Sequence, residues 1–148
     1  MTQNSNINAF LAQRTLAVVG VSRGGKKFGN TVFQNLKTKG YRVYPVNPHA
    51  GTIAGERCYP DLNSLPEKVG GVVLVVPPNE TARMVRQAAD AGIKRVWMQQ
   101  GAESDEALRF CETHDISAIH DECIMMFAEP TAFPHKVHRW VRQLTRKH

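Results

Sequence analysis

Short apolar runs alternate along this chain with stretches whose apolar residues recur every three or four positions. Leu16-Ala17-Val18-Val19 is unbroken, as expected for a strand buried on both faces of a parallel sheet. Tyr41–Val46, Val69–Val76, Arg95–Met98 and Ile116–Ile119 supply four more strand-like segments. Between them, Thr31–Lys39 sets Val32, Phe33 and Leu36 at helical spacing, with Gly40 as its stop. A helix capped by Asn79 or Thr81 turns Met84, Val85 and Ala88 inward and ends at Gly92, and Ser104–His114 does the same with Ala107, Leu108 and Cys111. A helical extension within residues 1–14 carries Ile7, Phe10 and Leu11 over Asn6–Gln13 and would cover one end of the sheet. A second amphipathic helix within residues 130–148, Pro134–Lys147, puts Val137, Trp140, Val141 and Leu144 on one side. Strands alternating with helices at this spacing predict βαβ units, a parallel sheet and right-handed crossovers, in one α/β domain spanning residues 1–148.

Two stretches depart from the pattern. Pro45 sits in a strand-like run, where it removes an N–H, so it belongs in the last rung of that strand. His49–Lys68, with Gly51, Gly55, Pro60 and Pro66, reads as a loop with at most a short helix.

The stretch Thr15–Thr31 holds the first chemical signal. The buried run breaks at Gly20-Val21-Ser22, then at Gly24-Gly25 and Gly29, before a helix begins. A strand, a glycine-rich turn and a helix make a phosphate cradle. The first N–H groups of the helix lack intrahelical partners, its dipole favours an anion, and glycine lets a phosphate approach. In the dinucleotide pattern G-x-G-x-x-G, Gly20, Ser22 and Gly25 hold the three places, so serine replaces the middle glycine.

Parallel sheets bind ligands at the carboxyl ends of their strands. The segments expected to converge there are Gly20-Val21-Ser22, Asn47-Pro48, Val76-Pro77-Pro78, Gln100-Gly101 and Asp121-Glu122-Cys123. A net charge of +6, with Arg23, Lys26 and Lys27 in the phosphate loop, suits an anionic ligand. An NAD site places Asp or Glu after the second strand to hold the ribose, whereas this chain has Asn47. Coenzyme A, with about four negative charges, fits the cations better, and NADP fits the charge as well.

The motifs V-V-G-V-S, Y-R-V-Y-P-V-N-P, V-V-P-P, A-G-I-K-R-V-W-M-Q-Q-G and D-E-C-I together resemble the stand-alone CoA-binding domain family. That family is similar to the N-terminal CoA-binding domain of the succinyl-CoA synthetase α subunit. The resemblance covers about Thr15–Met125. It implies a Rossmann-like, five-stranded parallel sheet with helices on both faces and a site for coenzyme A or an acyl-CoA. It also implies ligand contacts at Gly20, Val21, Ser22 and Lys27 of the phosphate loop, at Asn47 and Pro48, at Val76, Pro77 and Pro78, and at Gln100 and Gly101. In the synthetase the phosphorylated histidine lies in a second domain, so the resemblance points to binding in a regulatory, carrier or subunit role and leaves an enzymatic role open.

The remaining chemistry is sparse. His120-Asp121-Glu122-Cys123 gathers an imidazole, two carboxylates and a thiol in one strand-end loop, but neighbours in a turn point apart and no metal spacing accompanies them. His135 and His138 share a helix that also packs Trp140 and Val141. Neither catalytic nor metal-binding residues are therefore assigned. Cys123, placed after the fifth strand, would meet the CoA thiol and form a mixed disulfide under oxidation. Three widely spaced cysteines, Cys58, Cys111 and Cys123, indicate reduced thiols of a cytoplasmic protein. The start of the chain lacks a secretory pattern, and no run is long enough to span a membrane. Lys136, Arg139, Arg142, Arg146 and Lys147 on the last helix offer a surface for nucleic acid or a protein partner. The absence of a stacking platform argues against nucleic acid, and the apolar side of that helix would suit a homo-oligomer seam.

Overall fold

Each strand-like run of the sequence becomes a strand. The structure, a computed structural model, describes residues 3–22, 27–49, 51–53 and 55–127. Arg23–Lys26 and the basic amphipathic helix expected over Pro134–Lys147 lie outside the described residues. In chain order the elements are α1 (Gln3–Leu11), β1 (Thr15–Val19), α2 (Phe28–Thr38), β2 (Arg42–Val46), β3 (Thr52–Ile53), β4 (Glu56–Arg57), β5 (Gly71–Leu74), α3 (Pro78–Asp90), β6 (Arg95–Gln99), α4 (Asp105–Thr113) and β7 (Ser117–Glu122). Five strands form a parallel sheet in the order β2-β1-β5-β6-β7, the expected Rossmann-like α/β architecture.

The apolar runs are continuous because both faces of the sheet are covered. Leu16, Val18, Val43, Val73, Trp97 and Ile119 face α1 and α2, meeting Phe10, Val32, Phe33 and Leu36. Ala17, Val19, Val72, Leu74, Val96 and Met98 face α3 and α4, meeting Met84, Val85, Ala88, Ala107 and Cys111. Successive side chains of a strand alternate faces, so each core draws on every other residue. The α1 helix lies on one face against β6 and β7 instead of covering an end of the sheet, with Phe10 edge-on to Trp97 at 5.4 Å between ring centroids.

Pro45 is tolerated for a different reason than its expected place in a dissolving last rung. It pairs with Val18, and the ladder continues to Val46 opposite Val19. However, β2 is an edge strand, and Pro45 turns its backbone outward, where its carbonyl accepts the Tyr59 N–H at 2.9 Å. The missing N–H thus falls on the side of β2 away from β1, where no ladder strand pairs and only the Tyr59 bridge lies. The loop expected over residues 49–68 also contains a small antiparallel hairpin, β3–β4, with Gly55 at φ +79° in its turn. Leu62–Ser64 is the short helical turn allowed for, boxed by Asp61 and Ser64.

β7 runs three residues beyond its expected end. Trp97 pairs with Ile119 and Gln99 with Glu122, so an extra residue bulges from β7, and Asp121 adopts φ +64°. Gln3 of α1 seals this edge, donating to the His120 carbonyl at 2.9 Å and accepting its N–H at 3.3 Å. No helix among the described residues is long and apolar enough to cross a membrane.

Candidate functional site

β1 and β5 are neighbours from which the chain proceeds in opposite directions, so their carboxyl ends form the topological switch point of the sheet. A cleft of about 360 Å³ opens there. Gly20 lines it from β1, Lys27, Phe28 and Gly29 from the start of α2, Val75, Val76 and Pro77 from the end of β5, and Gln99–Ala102 from the end of β6.

Close backbone packing builds the α2 side of this cleft. Gly20 has φ +117°, and a Cβ there would sit 2.0 Å from the Val75 carbonyl oxygen. A Cβ on Gly29 would sit 2.3 Å from the Gly20 carbonyl oxygen. Gly29 therefore does what the third glycine of the dinucleotide pattern does, letting the helix touch the strand end. Sequence spacing assigned that place to Gly25, which lies outside the described residues. α2 begins at Phe28, three residues earlier than the apolar spacing indicated.

Asn30 fixes the turn and was not among the expected site residues. It is buried, at 7% exposure, in the first turn of α2. Its Oδ1 accepts the Ser22 N–H at 2.8 Å and the Ser22 hydroxyl at 3.2 Å, and its Nδ2 donates to the Ser22 carbonyl at 2.9 Å. The signal was present in the sequence: a polar residue between a glycine and the inward-facing Val32 and Phe33. Lys27, the N-cap of α2, supplies no side-chain acceptor to the helix start. Ser104, by contrast, caps α4 by accepting the Ala107 N–H at 3.1 Å. The α2 terminus therefore combines a helix dipole, an N-cap without a side-chain acceptor and an exposed lysine on the cleft lining.

The opposite wall is apolar at Val75, Val76 and Pro77 and carries the amides Gln99 and Gln100 beside them. α3 starts with Pro77 as N-cap and Pro78 as its first residue, so neither Asn79 nor Thr81 caps it. Pro78 is pre-set for a first helical turn and needs no N–H there. Thr81 is fully buried and donates its hydroxyl to the Ala102 carbonyl, tying the start of α3 to the loop after β6. Gly101 takes φ +96° in that loop and donates its N–H to Glu103 Oε1 at 3.1 Å. A carboxylate stands on this rim, so the α2 side is the electrostatically better one for an anion.

Of the expected site residues, Gly20, Lys27, Val76, Pro77, Gln100 and Gly101 line the cleft. Val21 is buried, and Ser22 is held by Asn30. Asn47 donates from Nδ2 to the Val21 carbonyl at 2.7 Å and accepts the His49 N–H at 2.7 Å, so its amide staples the end of β2 to the end of β1. Pro48 and Pro78 are exposed outside the cleft lining.

Cys123 also lies outside the lining, but next to it. Gln99, only 2% exposed, donates from Nε2 to Cys123 Sγ at 2.9 Å and accepts the Ile124 N–H at 3.0 Å. The β7 bulge turns the chain back far enough for both contacts. His120 pairs instead with Asp121, Nδ1 to Oδ2 at 2.7 Å, so the four-residue cluster does not converge on one point. Among the described residues no group of three or more His, Cys, Asp or Glu side chains is placed to hold a metal ion. Burial raises the thiols of Cys58 and Cys111 above their ordinary range, the latter to about 11.

Comparison with known proteins adds identity to this geometry. A CoA binding domain model matches residues 14–129. ADP-forming acetate–CoA ligase II of Archaeoglobus fulgidus is 32% identical over 101 residues, 67% of this chain and 15% of that protein. The alpha subunit of ADP-forming acetate–CoA ligase II of Pyrococcus furiosus is 33% identical over 91 residues, 61% of this chain and 20% of that subunit. The chain thus spans a fifth or less of the length of these two relatives. Among solved structures, a conserved hypothetical protein from Pyrococcus furiosus is 40% identical with a TM-score of 0.72, covering 76% of this chain and 97% of its own. A dinucleotide-forming acetyl-coenzyme A synthetase from Ca. Korarchaeum cryptofilum, in its apo form, is 27% identical with a TM-score of 0.63, covering 71% of this chain and 25% of its own. The family resemblance read from the sequence motifs therefore holds: this chain belongs to the CoA binding domain family.

Proposed function

We propose that this protein binds coenzyme A or an acyl-CoA in the cleft at the carboxyl ends of β1, β5 and β6, in a regulatory, carrier or subunit role and without chemistry of its own. One observation carries the reading. The start of α2, which its N-cap side chain leaves open, is pressed against the end of β1 by the Gly20–Gly29 contact and the Asn30–Ser22 clamp, with Lys27 on the cleft. That arrangement presents backbone donors, a helix dipole and a cation to one anion. Asn47, already bonded to Val21 and His49, gives no carboxylate for the ribose of NAD. The names of the acetate–CoA ligase relatives support CoA as the ligand.

Calorimetric titration with CoA, acetyl-CoA, dephospho-CoA, NAD and NADP tests this reading. CoA binding that weakens on removal of the 3′-phosphate, with NAD and NADP weaker still, is the expected result. Preference for NADP would replace it with a redox module, and no binding by any of the five would overturn it.

A further inference from the structure

Phe28 is 49% exposed, one of two large hydrophobic side chains left open to water among the described residues, yet it lines the cleft. An aromatic ring in that position recovers hydrophobic free energy only when something covers it. As the first residue of α2 it is held by the helix backbone between Lys27 and Gly29, at the inner edge of the α2 side. From there the cleft continues onto Val75, Val76 and Pro77, side chains that offer no hydrogen-bond donor. In sheets with this switch point, the nucleoside end of a dinucleotide lies over the second strand. The part of the ligand beyond the diphosphate then lies over β5 and β6, along the Val75–Pro77 wall of the cleft that Phe28 also lines from the start of α2.

Resting on the CoA reading above, we infer that Phe28 is a specificity-determining residue that packs against the pantetheine arm. Lys27 and the helix start hold what CoA shares with other phosphorylated adenine nucleotides, namely the diphosphate. Phe28 and the Val75–Pro77 wall hold what they lack: a flexible, largely aliphatic arm carrying a gem-dimethyl group. Selection for CoA is thus divided between two neighbouring residues, one reading charge and the other apolar surface.

Calorimetry on the full chain tests this division with two probes: CoA, and the 3′-phosphorylated ADP that is CoA without its arm. Phe28→Ala is expected to weaken CoA about 10-fold while changing the armless fragment by less than about two-fold, and Phe28→Leu should recover most of the loss. Thermal melts establish that each variant is folded, and Phe28→Leu carries the comparison if the alanine variant is not. Equal weakening of both ligands, or no weakening of CoA, would overturn the inference while leaving CoA binding intact. A wild-type protein that binds neither probe overturns the CoA reading itself, and this inference with it.

Discussion

Asn30 and Ser22 are joined by three hydrogen bonds that turn the end of β1 into the rim of the cleft. The Asn30 carbonyl oxygen accepts both the amide and the hydroxyl of Ser22, and its amide nitrogen returns a bond to the Ser22 carbonyl. Replacing Asn30 with leucine strips partners from the half-buried backbone N–H and carbonyl of Ser22, at a cost of about 1 kcal/mol or more. Asn30→Leu should therefore lower the melting temperature and weaken CoA together. Asn30→Asp keeps the acceptor, loses the donor and adds a negative charge beside the proposed anion site, so it should weaken CoA more than its melting temperature alone suggests. Calorimetry and thermal melts on the two variants check both statements.

Glycine is required at Gly20 and Gly29 by space, and at Gly20 by conformation as well. A Cβ at either position meets backbone oxygen at 2.0 and 2.3 Å. Neither oxygen belongs to a flexible side chain, so Gly20→Ala and Gly29→Ala should each cost about 3 kcal/mol or more. Gly51 meets nothing within 4 Å of a built Cβ, and Gly51→Ala should stay within about 0.5 kcal/mol of wild type. Urea denaturation of the three variants measures the contrast.

Lys27 is exposed, so a contribution of its charge to CoA binding, as proposed, would be sensitive to salt. Lys27→Ala should weaken CoA about five-fold at low ionic strength and by less at high ionic strength. Titrations of wild type and variant across a salt series give the difference in slope.

Burial pushes the Cys111 thiol from 9.0 up to about 11. Its folded-state value lies above its unfolded one, so the stabilising contribution of the neutral thiol is complete below pH 9.0 and is lost as the pH rises towards about 11. Urea midpoints of wild type should fall more steeply across that window than those of Cys111→Ala. The thiols should also differ in alkylation at neutral pH: Cys123, the partly exposed one, reacts first, ahead of buried Cys58 and Cys111.

Legibility of this fold in the sequence follows burial. β1, β5 and β6 were plain because they lie inside the sheet with both faces covered, which demands unbroken apolar runs. β7 is an edge strand with a bulge, so His120, Asp121 and Glu122 extend it without any apolar signature. The hairpin β3–β4 has two residues per strand, too few for an alternation to register. That Gly20, Val76, Pro77, Gln100 and Gly101 line one cleft was legible from the strand ends, since topology alone carries them there. Asn47 and Asn30 were harder because an amide reads alike whether it awaits a ligand or holds the backbone. Their partners, Val21 and Ser22, become apparent only once β1, β2 and α2 are packed.

The most direct test of the cleft is a titration of isotopically labelled protein with CoA, followed by amide chemical shifts. If CoA occupies the cleft, the largest shifts fall on Gly20, Phe28, Gly29, Val76 and Gln99–Ala102, the residues that line it. Shifts confined to the β3–β4 hairpin or to the exposed face of α4, with these amides unmoved, would contradict the account.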